Sequence, residues 1–256
     1  MPVIEELESV VHHIPEKAKF VFSSCPPIPS FANRDVKDKL TQWGLEGSFS
    51  CHKLSFTGAF RPQDQASTDA FIRQALSEAL PGADGSVQYK ELKCTQLSMK
   101  FFKPMTDRGI VTETGYIRGC FDEDIHGITV QDKLRTALAT PPDEREEEGV
   151  FSAEEEDELL YQVFKALVVG GSMCQPEVQI DPYLETTKAV YKDLLEVHKS
   201  ANEQVVVSSH AYRIMSVQND ECQLFKQESP HNLCILVVNP LARTATVIHK
   251  NFTPFW

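Results

Sequence analysis

Asn232-Leu233-Cys234-Ile235-Leu236-Val237-Val238-Asn239-Pro240, followed after Leu241-Ala242 by Arg243-Thr244-Ala245-Thr246-Val247-Ile248-His249-Lys250-Asn251-Phe252, is the stretch that decides the fold. The first run is apolar without a break from Leu233 to Val238 and reads as a buried strand; Asn239-Pro240 is a turn signal, and the second run returns as another strand. Upstream, Val205 to Val217 reads as a long strand of mixed polar and apolar residues. Three successive strands with short links predict an antiparallel meander with helices covering one face. No GxGxxG and no repeated βαβ pattern points to a doubly wound sheet, so the expected class is α+β.

Working back from the meander, Asp181 is a good N-cap and Pro182 a good first helical residue, because the donor that proline lacks would be unsatisfied there. At about 100° per residue, Tyr183, Leu184, Thr187, Val190, Tyr191, Leu194, Leu195, Val197 and His198 share one arc. Glu185, Lys188, Lys192, Asp193, Glu196 and Lys199 share the other. Before this helix, Ser152-Ala153-Glu154-Glu155 is a capping-box pattern. A buried stripe of Leu159, Leu160, Val163, Phe164, Leu167 and Val168 follows it and stops at Gly170-Gly171. Further helices are expected over 130–139 with Thr129 as cap, after Asn33 through Val36, Leu40 and Trp43 to Gly44, and from about Thr68 to Pro81-Gly82. Strands are expected at Ser48 to Phe56, at 87–103 from the alternation of Leu97, Met99 and Phe101, and at Tyr116 to Phe121. Residues 1–19 read as a loose arm, and 20–256 as a single α+β domain carrying an acidic loop at 141–151.

The formal charge is −12, without the excess of Lys and Arg that phosphate-backbone binding needs, which argues against nucleic acid and anionic membrane as partners. Nine of the twelve net negative charges fall between Asp143 and Glu158, where ten acids meet one base, Arg145. Carboxylates are favoured in a first helical turn by its free amides and the positive dipole end, so the later half of this run has a structural reading as a helix start. The longest apolar run is far short of the roughly 20 residues of a membrane span. With no secretory signal pattern, the protein is expected inside the cell. Seven cysteines (Cys25, Cys51, Cys94, Cys120, Cys174, Cys222, Cys234), odd in number and widely spaced, are then expected as reduced and mostly buried thiols.

Motifs for chemistry are sparse. Gly170-Gly171-Ser172 lacks the lysine of a phosphate loop and follows a helix, so it reads as a helix C-cap. Neither Gly-x-Ser-x-Gly nor His-Glu-x-x-His occurs. A metal site would need the meander to gather Cys222, His231, Cys234 and His249, and ordinary core cysteine is the favoured reading; His12-His13 falls in the arm. Cys174 is the candidate nucleophile, set against it being the nearby acids Glu177 and Asp181, and His198 reads as a core histidine rather than a base. No catalytic residue, cofactor or metal is therefore expected.

Three stretches together carry a resemblance: Cys94-Thr95-Gln96-Leu97-Ser98-Met99-Lys100-Phe101-Phe102; Gly170-Gly171-Ser172-Met173-Cys174-Gln175; and Pro182-Tyr183-Leu184-Glu185-Thr186-Thr187-Lys188 continuing through Tyr191-Lys192-Asp193-Leu194. With Gln42-Trp43 they resemble the cilia- and flagella-associated protein 300 family, from about Phe20 to about Phe252. The resemblance implies a non-enzymatic factor for assembling the outer and inner dynein arms of motile cilia. It further implies that the factor acts in the cytoplasm beside kintoun-type, chaperone-linked assembly factors, with dynein arm subunits as clients, and enters the cilium by intraflagellar transport. No catalytic residue comes with the family. The competing readings are a cryptic cysteine- or metal-dependent enzyme and a resident structural component of the axoneme. Packing accounts for Tyr183, Leu184 and Tyr191 on the helix after Pro182 but does not specify Glu185, Lys188, Lys192 and Asp193. These four form the candidate partner-binding face, against a solvated face with intrahelical pairs Glu185–Lys188 and Lys192–Glu196.

Overall fold

The computed structural model describes residues 20–83, 85–145, 149–200, 202–218 and 224–255; the arm over 1–19, with His12-His13, lies outside them, as does part of the acidic loop. In chain order the elements are β1 (Val21–Ser24), α1 (Pro29–Ala32), α2 (Arg34–Gln42), β2 (Phe49–Thr57), α3 (Gln65–Ala79), β3 (Ser86–Leu92), α4 (Pro104–Asp107), β4 (Gly119–Ile125), β5 (Ile128–Asp132), α5 (Lys133–Ala139), α6 (Ala153–Glu156), α7 (Leu159–Val169), α8 (Asp181–Leu194), β6 (Val197–Lys199), β7 (Val205–Val207), β8 (His210–Gln218), β9 (Leu233–Asn239) and β10 (Thr244–Lys250). The main sheet has six strands in the order β1-β2-β10-β9-β8-β3, every neighbouring pair antiparallel. The class is α+β, and β8-β9-β10 is the expected meander.

Helices cover both faces of the sheet rather than one. Every residue of β9 is buried, which explains why its sequence does not alternate: a strand covered on both sides has no solvent face to mark with polar residues. Cys234, Leu236 and Val238 join Phe71, Ile72 and Leu76 of α3 in one apolar cluster. Leu233, Ile235 and Val237 join Leu134 of α5, Phe164 of α7 and Tyr183 of α8 in the other.

Four expectations give way to local chemistry. The helix after Pro182 stops at Leu194, with Ile180 rather than Asp181 at the cap position, and the strand expected from Val205 begins at His210. Between them β6 and β7 form a two-stranded ribbon that leaves His198 exposed rather than in the core. The cause is a set of competing partners at the helix end: Glu196 N donates to Ser209 Oγ at 2.7 Å and Ser208 N to Glu196 O at 3.0 Å, while Val197, Val205, Val206 and Val207 favour extended backbone. Second, the strand expected over 87–103 ends at Leu92. Lys93 instead pairs with the 157–159 segment (Lys93 N to Asp157 O, 2.9 Å; Leu159 N to Lys93 O, 2.8 Å), and Met99–Phe102 is a 3₁₀ turn. The adjacent aromatics that break the alternation are the reason: Phe102 packs on Phe164 at 4.1 Å and Phe101 stacks on Phe151 at 5.3 Å.

Third, Val130 lies in a strand, with Ile128, Val130 and Asp132 buried alternately. The helix starts only at Lys133, capped by Asp132 Oδ1 accepting from Arg135 N at 2.7 Å, and not by Thr129. The strand expected at Tyr116 likewise begins at Gly119.

Fourth, the helix from Ser152 is two helices. Its capping box is formed, but α6 ends at Glu156 and α7 opens after Glu158. Here the acids from Glu154 to Glu158 each find a partner. Lys93 Nζ reaches Glu154 at 3.0 Å, Lys90 Nζ reaches Asp157 at 2.6 Å, and Arg145 Nη1 reaches Glu156 at 2.6 Å. Glu158 is buried and accepts from Thr95 N at 3.0 Å, from Gln96 N at 3.4 Å and from the Thr95 hydroxyl. The carboxylate thus holds the Cys94–Gln96 motif against the start of α7. Removing it strands two backbone donors, so Glu158→Ala is expected to lower stability by about 3 kcal/mol in urea unfolding, whereas Glu154→Ala, an exposed pair, changes it by under about 0.5 kcal/mol.

Candidate functional site

Gln42-Trp43, the Gly170–Gln175 stretch and the start of α8 meet at one junction, where two helix ends press together backbone to backbone. Helix α2, capped by Asn33 accepting from Asp35 N at 2.8 Å and Val36 N at 3.3 Å, ends at Trp43 and Gly44; α7 ends at Gly170 and Gly171. Gly44 and Gly170 both sit at φ +65°, the left-handed region that glycine enters without a steric cost and that terminates helices. Gly171 N donates to Trp43 O at 2.9 Å and Gln175 N to Gln42 O at 2.9 Å. A Cβ on Gly170 would lie 2.7 Å from Trp43 O, and one on Gly171 would be driven into the Gly44 carbonyl.

Trp43, wholly buried, extends this contact to α8. Its ring lies 4.6 Å from that of Tyr183. Its Nε1 donates to Glu177 Oε1 at 3.2 Å, an oxygen that also accepts from Lys39 Nζ at 2.6 Å, and Glu177 N donates to Tyr183 Oη at 3.1 Å. At the other end of the helix Tyr191 Oη donates to Gln96 O at 2.9 Å. The Gly170–Gln175 stretch and Gln42-Trp43 thus hold the start of α8 and the Cys94–Phe102 stretch holds its end, and their inward residues set the pose of α8.

Of the candidate face, Glu185, Lys188 and Lys192 are exposed. Asp193 is half-buried, and its Oδ2 accepts from Ser30 N at 2.6 Å, tying α1 to α8. The Lys192–Glu196 pair does not form, because Glu196 lies past the helix end and accepts from Ala242 N at 3.2 Å. Among the described residues neither Lys188 nor Lys192 is in an ion pair. The outer strip is thus two uncompensated ammonium groups and one carboxylate on a rigidly held helix.

The chemical candidates are separated or spent. Burial pushes the Cys51 and Cys94 thiols up to about 12 and raises Cys174 and Cys234 as well; a protonated thiol is a weak nucleophile. Around Cys174 the structure places the cations Arg135 and Lys250 as well as the acids Asp132 and Glu177, so its setting is not the acidic one expected, yet burial outweighs them. His231 and His249 each direct Nε2 at a backbone carbonyl, of Ile125 and Leu224, both at 2.9 Å. Among the described residues no three His, Cys, Asp or Glu side chains converge as a metal set; Cys222 lies outside them. No described helix is long and apolar enough to cross a membrane.

What this geometry defines is a helix-covered antiparallel platform whose motif stretches brace an exposed helix face. The sequence profile of the family described as "Cilia- and flagella-associated protein 300" matches residues 17–250, and the chain belongs to that family. It is 29% identical to the Cilia- and flagella-associated protein 300 of Chlamydomonas reinhardtii over 256 aligned residues, covering 93% of this chain and 99% of the relative. It is 29% identical to that of Paramecium tetraurelia over 230, covering 85% and 87%. No solved structure matches.

The junction tolerates no side chain at Gly171. Gly171→Ala is expected to cost about 3 kcal/mol in chemical denaturation, while Gly119→Ala, whose Cβ would lie 3.6 Å from Gln131 O, stays within about 0.5 kcal/mol.

Proposed function

We propose that the protein is a non-enzymatic adaptor in the assembly of the outer and inner dynein arms of the axoneme. In this reading it binds dynein arm subunits and kintoun-type, chaperone-linked assembly factors in the cytoplasm and travels into the cilium with the intraflagellar transport machinery. Membership of a cilia- and flagella-associated family over nearly the whole chain is the observation that carries the reading. The raised thiols of half-buried Cys51 and Cys94 and of buried Cys234, and the commitment of both meander histidines to backbone carbonyls, favour it over a cysteine- or metal-dependent enzyme.

The partner face in this proposal is the outer strip of α8, Glu185, Lys188 and Lys192, with Asp193 holding the helix in place through Ser30 rather than meeting the partner. Exposed, unpaired lysines contribute little to folding, so their charge is available to an acidic surface. The double variant Lys188→Glu/Lys192→Glu is expected to keep its melting temperature within about 2 °C. Its recovery of dynein arm subunits in co-precipitation from ciliating cells should fall at least about tenfold, as loss of roughly 1.4 kcal/mol would produce. Undiminished recovery would reject this face.

A further inference from the structure

Between the end of α7 and the start of β9 lies a cavity of about 20 Å³, lined by Gln162, Lys165, Arg213, His231, Asn232 and Lys250 among others. Four of these six are basic. Lys250 is 1% exposed and His231 4% exposed, so they form the floor; Lys165 and Arg213 are half-buried and form the mouth. Among the described residues no carboxylate is in an ion pair with Lys165, Arg213 or Lys250. Glu156 and Asp157 influence the two at the mouth from a distance, but Arg145 and Lys90 already hold them.

Capping the last turn of α7 explains part of this. Arg135 Nη2 donates to Val169 O at 3.0 Å and Lys250 Nζ to Ala166 O at 3.3 Å; cations belong at a helix C-terminus. One bond, however, uses one of three ammonium protons, and a fully buried ammonium without a carboxylate is costly to keep. Burial pushes Lys250 down to about 7, and Lys165 and Arg135 push it the same way, with Cys174 opposing. Burial pushes His231 down to about 4, again with Lys250, Lys165 and His126 adding to the effect and the Ile125 carbonyl opposing.

His231 also says which anion fits. Its Nε2 donates to Ile125 O, so the neutral ring presents a lone pair at Nδ1, and that buried atom has no partner. The complementary ligand is an anion that accepts from several cations and carries one O–H to donate. We propose that this cavity is a phosphate-binding site, with Lys250, Lys165 and Arg213 donating to the phosphate oxygens and His231 Nδ1 accepting from a protonated one. The cavity admits one oxygen at the floor, as it would a water, and the rest of the group meets the cations at the mouth. Free phosphate and a phosphate monoester share this chemistry.

The test is thermal unfolding of the full chain in inorganic phosphate, O-phosphoserine, sulfate or chloride at matched ionic strength and about pH 6, where most of the phosphate and roughly half of the monoester carry the O–H. At a phosphate concentration tenfold above Kd the melting temperature is expected to rise by about 3 °C over chloride. The stronger of phosphate and phosphoserine identifies the natural source. Sulfate, which has no proton to give His231, should give at most half the shift. Lys250→Met should abolish the shift while melting no lower than the wild type in chloride. Arg213→Gln, at the mouth, serves if the floor variant does not fold, and should weaken binding about tenfold. No shift with either phosphate source, as a site holding only water would give, overturns the proposal. So do an equal shift with sulfate or chloride, and a shift left intact in the variants that fold.

Discussion

A side chain at residue 171 has nowhere to go, because the backbone of Gly171 lies directly against the Gly44 carbonyl, and the rest of the helical layer is built out from that contact. The ends of α2 and α7 can approach so closely only because each finishes on glycine. Their closeness sets Trp43 between Tyr183 and Glu177, and those two residues fix where α8 begins. Tyr191 and Glu158 repeat the arrangement at the far side, through the Cys94–Gln96 segment. The three motif stretches thus supply many of the inward halves of these contacts. Packing leaves unexplained the outward residues of α8 and, in the other two stretches, exposed positions such as Leu97, Lys100 and Met173.

The sheet and its helices were legible in the sequence wherever a pattern answered to a single partner. The meander, the cap at Asn33, the capping box at Ser152 and the stop at Gly170-Gly171 all rest on local rules. The readings that failed did so where two local rules competed or where burial came from both sides. Val130 satisfies a helical face and a strand alike, and Asp132 three residues past Thr129 is the better cap. Phe101-Phe102 looks like a defect in a strand and is a pair of anchors for a 3₁₀ turn. The unbroken apolar run of β9 already held the information that both faces are covered. Of the candidate face, the exposure of Glu185, Lys188 and Lys192 followed from helical period alone. The tie from Asp193 to Ser30 joins residues far apart in the chain and left no local trace, and neither did the gathering of Lys165, Arg213, His231 and Lys250.

Net charge describes this molecule poorly. The acids that dominate the count, from Glu154 to Glu158, are mostly partnered locally, by Lys93, Arg145, Lys90, the Thr95 hydroxyl and the amides of α6. The basic side chains gathered beside the end of α7 are fewer and lie half-buried or buried, although the chain as a whole is negative. Sign at the surface and sign within are set by different residues, and a partner or ligand meets one or the other.

The order of strands in the sheet has a consequence for how the chain comes to be folded. β2 pairs with β10, so the β1–β2 pair is joined to the β8–β9 pair only by a strand that lies almost the whole described length of the chain away. Contacts of that span form slowly, since the loop must close before any pairing repays the lost entropy. Until β10 is in place, β2 and β9 each present a free hydrogen-bonding edge beside apolar side chains, the condition under which nascent chains associate wrongly. The last strand of the chain is thus the piece that covers both edges and makes one sheet of two halves.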